Sequence, residues 1–121
     1  MDERERIPSP NGTYTVFLMP IEMRMSHWLE QPLIVETATN RTILDLTGIL
    51  WSADMVRWSD DSARVTLAMR RYPGDAPGAT VTIDLRTGMA MIDSPVESAT
   101  VALSRLSQWL EAFYQQHQRR A

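Results

Sequence analysis

The stretch Asp54 to Arg71, D-M-V-R-W-S-D-D-S-A-R-V-T-L-A-M-R-R, constrains the chain more than any other, because its period, turn chemistry and residue types agree. Ala63, Val65, Leu67 and Met69 alternate with Arg64, Thr66, Ala68 and Arg70, the period of a strand with one face buried. Ser59-Asp60-Asp61-Ser62 is a turn of side chains that hydrogen-bond their own backbone. Val56 and Trp58, before the turn, fall on the same buried face. The stretch is a β-hairpin, and it organises the expectation for everything else.

Strands are expected on both sides of it. Ser9-Pro10-Asn11-Gly12 forms a turn and residues 13–19 a first strand, stopped or bent by Pro20. Met23, Met25 and His27 alternate with Arg24, Ser26 and Trp28 as in a strand, while methionine and leucine also suit a helix; of the two, a strand over 21–29 is preferred. Residues 32–37 and 42–46 make a hairpin around Ala38-Thr39-Asn40-Arg41, with Asn40 in the left-handed position. Beyond the loop of turn residues from Tyr72 to Gly78, Val81, Ile83 and Leu85 alternate with Thr80, Thr82 and Asp84. Gly88 then turns the chain into a strand over 89–92.

At Ser94 the period changes. Ser94-Pro95-Val96-Glu97 has the pattern of a capping box. Ala99, Ala102, Leu103, Leu106, Trp109, Leu110 and Phe113 recur at helical spacing. These features predict a helix over 95–118. The fold class expected is α+β: an antiparallel meander of about seven strands with one long C-terminal amphipathic helix packed on it. Residues 1–8 are read as a flexible lead-in and 9–121 as a single domain, β-rich over 9–93.

The segment 9–18 can be laid over 59–68, and V-E-T-A-T-N-R-T-I-L-D from residue 35 over I-D-L-R-T-G-M-A-M-I-D from residue 83. W-S-D-D-S before a strand and D-L-R-T-G between strands resemble the turn grammar of β-propeller blades, which implies two blade-like halves. Two blades close no propeller. The plainer reading, that any meander repeats its hairpins, is preferred and leaves one sheet under the helix. Separately, E-M-R-M-S-H-W at 22–28, L-W at 50–51 and R-R-Y-P-G-D-A-P-G at 70–78 resemble the pattern of a family of small bacterial proteins of uncharacterised activity. That resemblance runs over residues 9–93. It implies a fold and a bacterial source, and no functional residue can be carried over from it.

Composition narrows the function classes. The chain of 121 residues has no cysteine, so disulfides, thiol nucleophiles and thiolate metal sites are excluded. Its twelve basic residues are all arginine, which excludes lysine Schiff-base chemistry and a phosphate-loop lysine. A formal net charge of −3 argues against a nucleic-acid partner. No apolar run is long enough to span a membrane, and the charged N-terminus lacks a signal-peptide core, so a cytoplasmic location is expected.

No pattern names a reaction. His27 has Glu22 and Glu30 nearby in sequence, the basis for a hydrolase or transferase reading, but no nucleophile elbow is present. His27 and His117 lack paired metal-ligand spacing, and Asp60-Asp61 lacks a calcium-loop pattern, so neither metal nor cofactor is expected. His117 is read as a charge near a helix C-terminus.

Arginines and aromatics remain at positions no core demands: Arg24, Trp28, Trp51, Arg57, Arg70, Arg71 and Tyr72. Arginine, tryptophan and tyrosine dominate binding hot spots. The expectation is a non-enzymatic protein-binding module of the immunity or antitoxin kind, its partner another protein such as a toxin. Arg24, His27, Trp28, Arg70, Arg71 and Tyr72 are the expected contact residues. The bland alternative is that the tryptophans plug the sheet ends and Arg70 or Arg71 pairs with Asp75. A third reading is a homo-oligomer joined through exposed sheet edges or blade-like halves.

Overall fold

The computed structural model describes residues 4–74 and 77–118. Asp75, expected to pair with Arg70 or Arg71, lies outside the described residues. Nine strands and one α-helix run in the order β1 (Glu5–Pro8), β2 (Tyr14–Glu22), β3 (Trp28–Glu36), β4 (Arg41–Asp45), β5 (Trp51–Trp58), β6 (Arg64–Arg71), β7 (Ala79–Asp84), β8 (Met89–Asp93), β9 (Ser98–Ala102) and α1 (Leu103–His117). The α+β class and the C-terminal helix are as expected. The preferred single sheet is not what forms. There are two antiparallel meanders, β1-β2-β3-β4 and β5-β6-β7-β8-β9.

Two strands appear where none was expected. Residues 5–8 are not a flexible lead-in but pair with β2 from Glu5↔Leu18 to Pro8↔Thr15. The cause lies in β2, whose Thr15, Val16, Phe17 and Leu18 are all buried, so both of its faces need cover. Ile7 packs against the core from one side. The guanidinium carbons of Arg4 and Arg6 lie 4.3 and 5.4 Å from the Phe17 ring centroid on the other. The second addition is β9 (Ser98–Ala102), which lies within the first two turns of the helix expected over 95–118. Ser94 does accept the Glu97 N–H at 3.0 Å, as a capping serine would. Its own N–H, however, donates to the Glu97 carbonyl at 3.0 Å, so the motif closes a β8–β9 turn. Ser98 to Ala102 then pair with β8, and the helix begins at Leu103 without a side-chain cap.

The expected strand over 21–29 is also interrupted. Pro20 does not stop β2, which continues to Glu22; beyond Leu18 it has no β1 partner, and a missing N–H is tolerated on that open side. A 3-10 turn at Arg24–Ser26 then reverses the chain into β3.

The tight turns of the two meanders repeat each other's hydrogen bonds, although the second meander has a fifth strand and the bulges fall at different places. Ser9 N–H donates to the Tyr14 carbonyl at 2.8 Å and Ser59 N–H to the Arg64 carbonyl at 2.9 Å. Asn11 Oδ1 accepts Thr13 N–H at 2.9 Å, and Asp61 Oδ1 accepts Ala63 N–H at 3.0 Å. Gly12 and Ser62 take the left-handed position, at φ 77° and 62°. In the next turn of each half, Asn40 and Gly88 do the same at φ 59° and 71°, donating to Glu36 and Asp84 carbonyls at 2.8 and 2.9 Å. The first two turns touch, Asn11 N–H donating to Ser62 Oγ at 2.9 Å.

A common core joins both sheets and the helix: Val16, Leu18, Ile34 and Leu44 from the first, Val65, Leu67, Val81 and Ile83 from the second, and Leu106, Leu110 and Phe113 from α1. Burial of that stripe, rather than helix propensity, is what holds α1 in place. The repeat places Thr66, Ala68 and Thr82 where the first half has core residues Val16, Leu18 and Ile34. In the second sheet that face turns outward, and these three positions carry polar or small side chains beside the exposed Met55 and Met91.

The meander topology sorts the connections by end. Tight turns at 9–13, 37–40, 59–63 and 85–88 lie at one end of the strands. The connections at 23–27, 46–50, 72–78 and 94–97 lie at the other.

Candidate protein-binding corner

The irregular end carries Ile21, Met25, Trp28 and Val96 among the exposed large apolar side chains, while Met55 and Met91 are exposed within strands of the second sheet. The β2–β3 register, ending at Glu22↔Trp28, is extended one step by a 2.6 Å bond from Met23 N–H to the His27 carbonyl. The three residues enclosed reverse the chain only because Met25 adopts φ 61°, ψ 35°. A left-handed methionine is an uncommon and strained choice. Met25 is 90% exposed, and Trp28 at the start of β3 is 50% exposed. Ile21 is also exposed on the neighbouring strand end.

The second half contributes Tyr72. Its N–H donates to the Leu50 carbonyl at 2.8 Å, fixing the residue beside the β4–β5 connection. The Tyr72 ring lies 5.9 Å from the His27 ring, tilted by 58°. Equivalent connections of the two halves thus meet at one corner, where His27 and Tyr72 are in contact and Arg24, Met25 and Trp28 are exposed.

Two of the six residues expected to bind do not join it. Arg71 is buried: Nε donates to Glu111 Oε2 at 3.1 Å, Nη1 to the Tyr72 carbonyl, and its guanidinium carbon lies 3.9 Å from the Tyr114 ring centroid. Trp51, fully buried, donates to the same Glu111 carboxylate at 3.2 Å. This node pins the helix to the end of the second sheet. Strand alternation sends Arg70 to the opposite face, where Nε lies 2.9 Å from both Asp54 oxygens. A bulge between Ala53 and Met55 lets Asp54 face it.

Met25 and Ile21, the residues sequence reasoning passed over, are ordinary core types. Only the tight reversal at the end of β2 exposes them.

No hydrogen bond or ion pair joins His27 to Glu22 or Glu30 among the described residues. Burial, and secondarily the charge of Glu5, raises the Glu30 carboxyl above its ordinary range. Shallow depressions of about 510 Å³ lie on the outer face of the second sheet, lined by Thr80 and Asp93 among others, and neither is lined by His27, Glu22 or Glu30. Among the described residues there is no group of three or more His, Cys, Asp and Glu side chains that could hold a metal ion. No helix among them is long and apolar enough to cross a membrane.

Comparison with protein-family models, with curated proteins and with solved structures finds no match.

Proposed function

We propose that the chain is a non-enzymatic binding protein that engages another protein through the corner formed by Arg24, Met25, His27, Trp28 and Tyr72. The supporting observation is Met25, held in a left-handed conformation and almost fully solvated beside a half-exposed tryptophan. Exposed methionine and tryptophan at one point forgo hydrophobic stabilisation that docking against an apolar pocket would supply. An immunity- or antitoxin-type protein that neutralises its partner by covering it fits this use of surface, by analogy of size and charge alone.

The test is capture of a partner from the native host. Wild-type protein retains the partner; Trp28→Ala and Met25→Ser each weaken retention by about tenfold or more. The controls Arg70→Ala and Met91→Ser, on the outer face of the second sheet, retain it fully. A partner held equally by all variants removes the site assignment. Turnover of any substrate that depends on His27 would replace the binding reading with the hydrolase or transferase one.

A further inference from the structure

β2 and β3 bury one face in the common core through Val16, Leu18 and Ile34, while Thr15, Phe17 and Val35, on the opposite face, stand outside it. That outer face holds a cavity of about 430 Å³, lined along the strands by Arg6, Pro8, Phe17 and Val35. Thr15, Thr37 and Asn40 line it toward the tight-turn end. Its volume falls in the range of small-molecule sites.

The internal repeat sets these residues apart. The counterparts of Thr15, Phe17 and Val35 in the second half are Val65, Leu67 and Ile83, all in the core. Where the second half has Val65 and Leu85, the first has Thr15 and Thr37, whose hydroxyl oxygens lie 2.7 Å apart. One hydroxyl proton joins that pair, and the other has no acceptor among the described residues. Asn40 departs from its counterpart Gly88 in the same direction. Glycine suits the left-handed conformation that both adopt, yet the first half keeps an amide there. The Asn40 side chain makes no hydrogen bond among the described residues.

Arg6 supplies the charge. Its guanidinium carbon lies 5.4 Å from the Phe17 ring centroid, and no carboxylate pairs with it among the described residues. Its neighbour Glu5 is in register with Leu18 and so belongs to the opposite face. Phe17, beside the guanidinium, and Thr15, in the hydroxyl pair, are two residues apart on β2, a separation of roughly 7 Å. The cavity thus offers a cation at one end, apolar walls, and hydroxyl and amide groups at the other.

A guanidinium accepts a carboxylate in a planar fork, and Pro8, Phe17 and Val35 offer a bare inorganic anion nothing. We propose that the cavity binds a small organic acid, its carboxylate on Arg6 and its apolar body over Pro8 and Val35. The site lies on the outer face of the first sheet toward the tight turns, whereas Met25 and Trp28 lie at the irregular end, so it stands independently of the protein-binding reading.

Hexanoate and phenylacetate serve as probes, with hexanamide and phenylacetamide as their uncharged counterparts, each followed by the backbone amide NMR signals of the intact chain. Both acids should shift the Gly12, Thr15, Thr37 and Asn40 signals saturably and leave those of Met25 and Trp28 unmoved. The amides should bind at least about tenfold more weakly, and Arg6→Gln should weaken binding of the acids by a similar factor. Arg57→Gln, on the outer face of the second sheet, should leave the affinity unchanged, and unperturbed signals from β6 and β7 report that each variant is folded. Four results would overturn the proposal: no saturable shift with either acid up to about 10 mM, amides that bind as tightly as the acids, equal affinity in Arg6→Gln and Arg57→Gln, or inorganic phosphate bound as tightly as phenylacetate.

Discussion

Replacing Arg71 by alanine should damage stability far more than replacing its neighbour Arg70, although the two look alike in the sequence. The Arg71 side chain is 10% exposed and its partner Glu111 36%. Arg71→Ala removes two contacts to a carboxylate, at 3.1 and 3.3 Å, a bond to the Tyr72 carbonyl and a guanidinium over the Tyr114 ring. Hydrogen bonds to charged groups contribute about 1.5–3 kcal/mol and a cation–π contact about 0.5–2 kcal/mol. The stranded Glu111 keeps its bond from Trp51 and regains some water, which holds the penalty of an unpaired charge below the full buried value. The net loss expected is about 2–4 kcal/mol. Arg70 and Asp54 are 45% and 49% exposed, and Arg70→Ala should cost about 0.2–1 kcal/mol. Urea unfolding followed by circular dichroism measures both. A double-mutant cycle of Arg71→Ala with Glu111→Ala should return a coupling of at least about 1 kcal/mol. If Arg71→Ala unfolds within about 0.5 kcal/mol of wild type, or no more easily than Arg70→Ala, the node does not pin the helix and the reasoning fails.

Leu106→Ala should cost about 2–5 kcal/mol because the residue is fully buried on the core face of α1, while Trp109→Ala, half-buried and stacked on Phe113 at 5.3 Å, should cost less; denaturant midpoints rank the two. Gly78→Ala should cost about 1–3 kcal/mol, since an added Cβ would lie 2.8 Å from the Met69 carbonyl oxygen; an unchanged midpoint would show that the loop gives way freely. Asp61 is held below the ordinary aspartate range by the Ser59 hydroxyl and then the Ala63 N–H, and Asp84 by the N–H of Arg86 and other donors. Their contribution is present above the unfolded-state pKa, near about 3.9, and is lost as pH falls through the lower folded-state value. Asp61→Asn should therefore flatten the acid limb of a stability–pH curve. Glu30 has the opposite sign: its raised carboxyl opposes folding as pH rises through the carboxylate range, so Glu30→Gln should raise the midpoint at pH 7 more than at pH 4.

The second sheet was largely legible because one face is buried and the other solvated, so Val65, Leu67 and Met69 alternate cleanly with Arg64, Thr66 and Ala68. The first sheet was harder to read. Residues 15–18 of β2 are apolar or buried on both faces, which erased the period that would have signalled its partner β1. The β9 segment was misread because S-P-V-E satisfies the same serine-to-backbone bond in a hairpin as in a helix cap, and S-A-T-V-A carries no period long enough to separate the two. At the corner, Trp28, His27 and Tyr72 were legible as residue types. Arg71 was not, because strand parity alone cannot say that a buried guanidinium will find Glu111, forty residues away, on a helix. The internal repeat was visible in the string, but the matching hydrogen bonds of its turns emerged only from the structure.

The segregation of tight turns and irregular connections makes the molecule one-sided as a carrier of new sequence. Each tight turn fixes a strand's parity. One residue inserted between Ser59 and Ala63 would turn β6 over, bringing Arg70 to the position of Arg71 and Thr66 and Ala68 into the core. An insertion between Thr47 and Gly48 faces no such frame, because the β4–β5 connection joins the two sheets and closes no hairpin. A foreign peptide displayed on this scaffold should therefore be borne at that sheet-to-sheet connection and rejected at the tight turns.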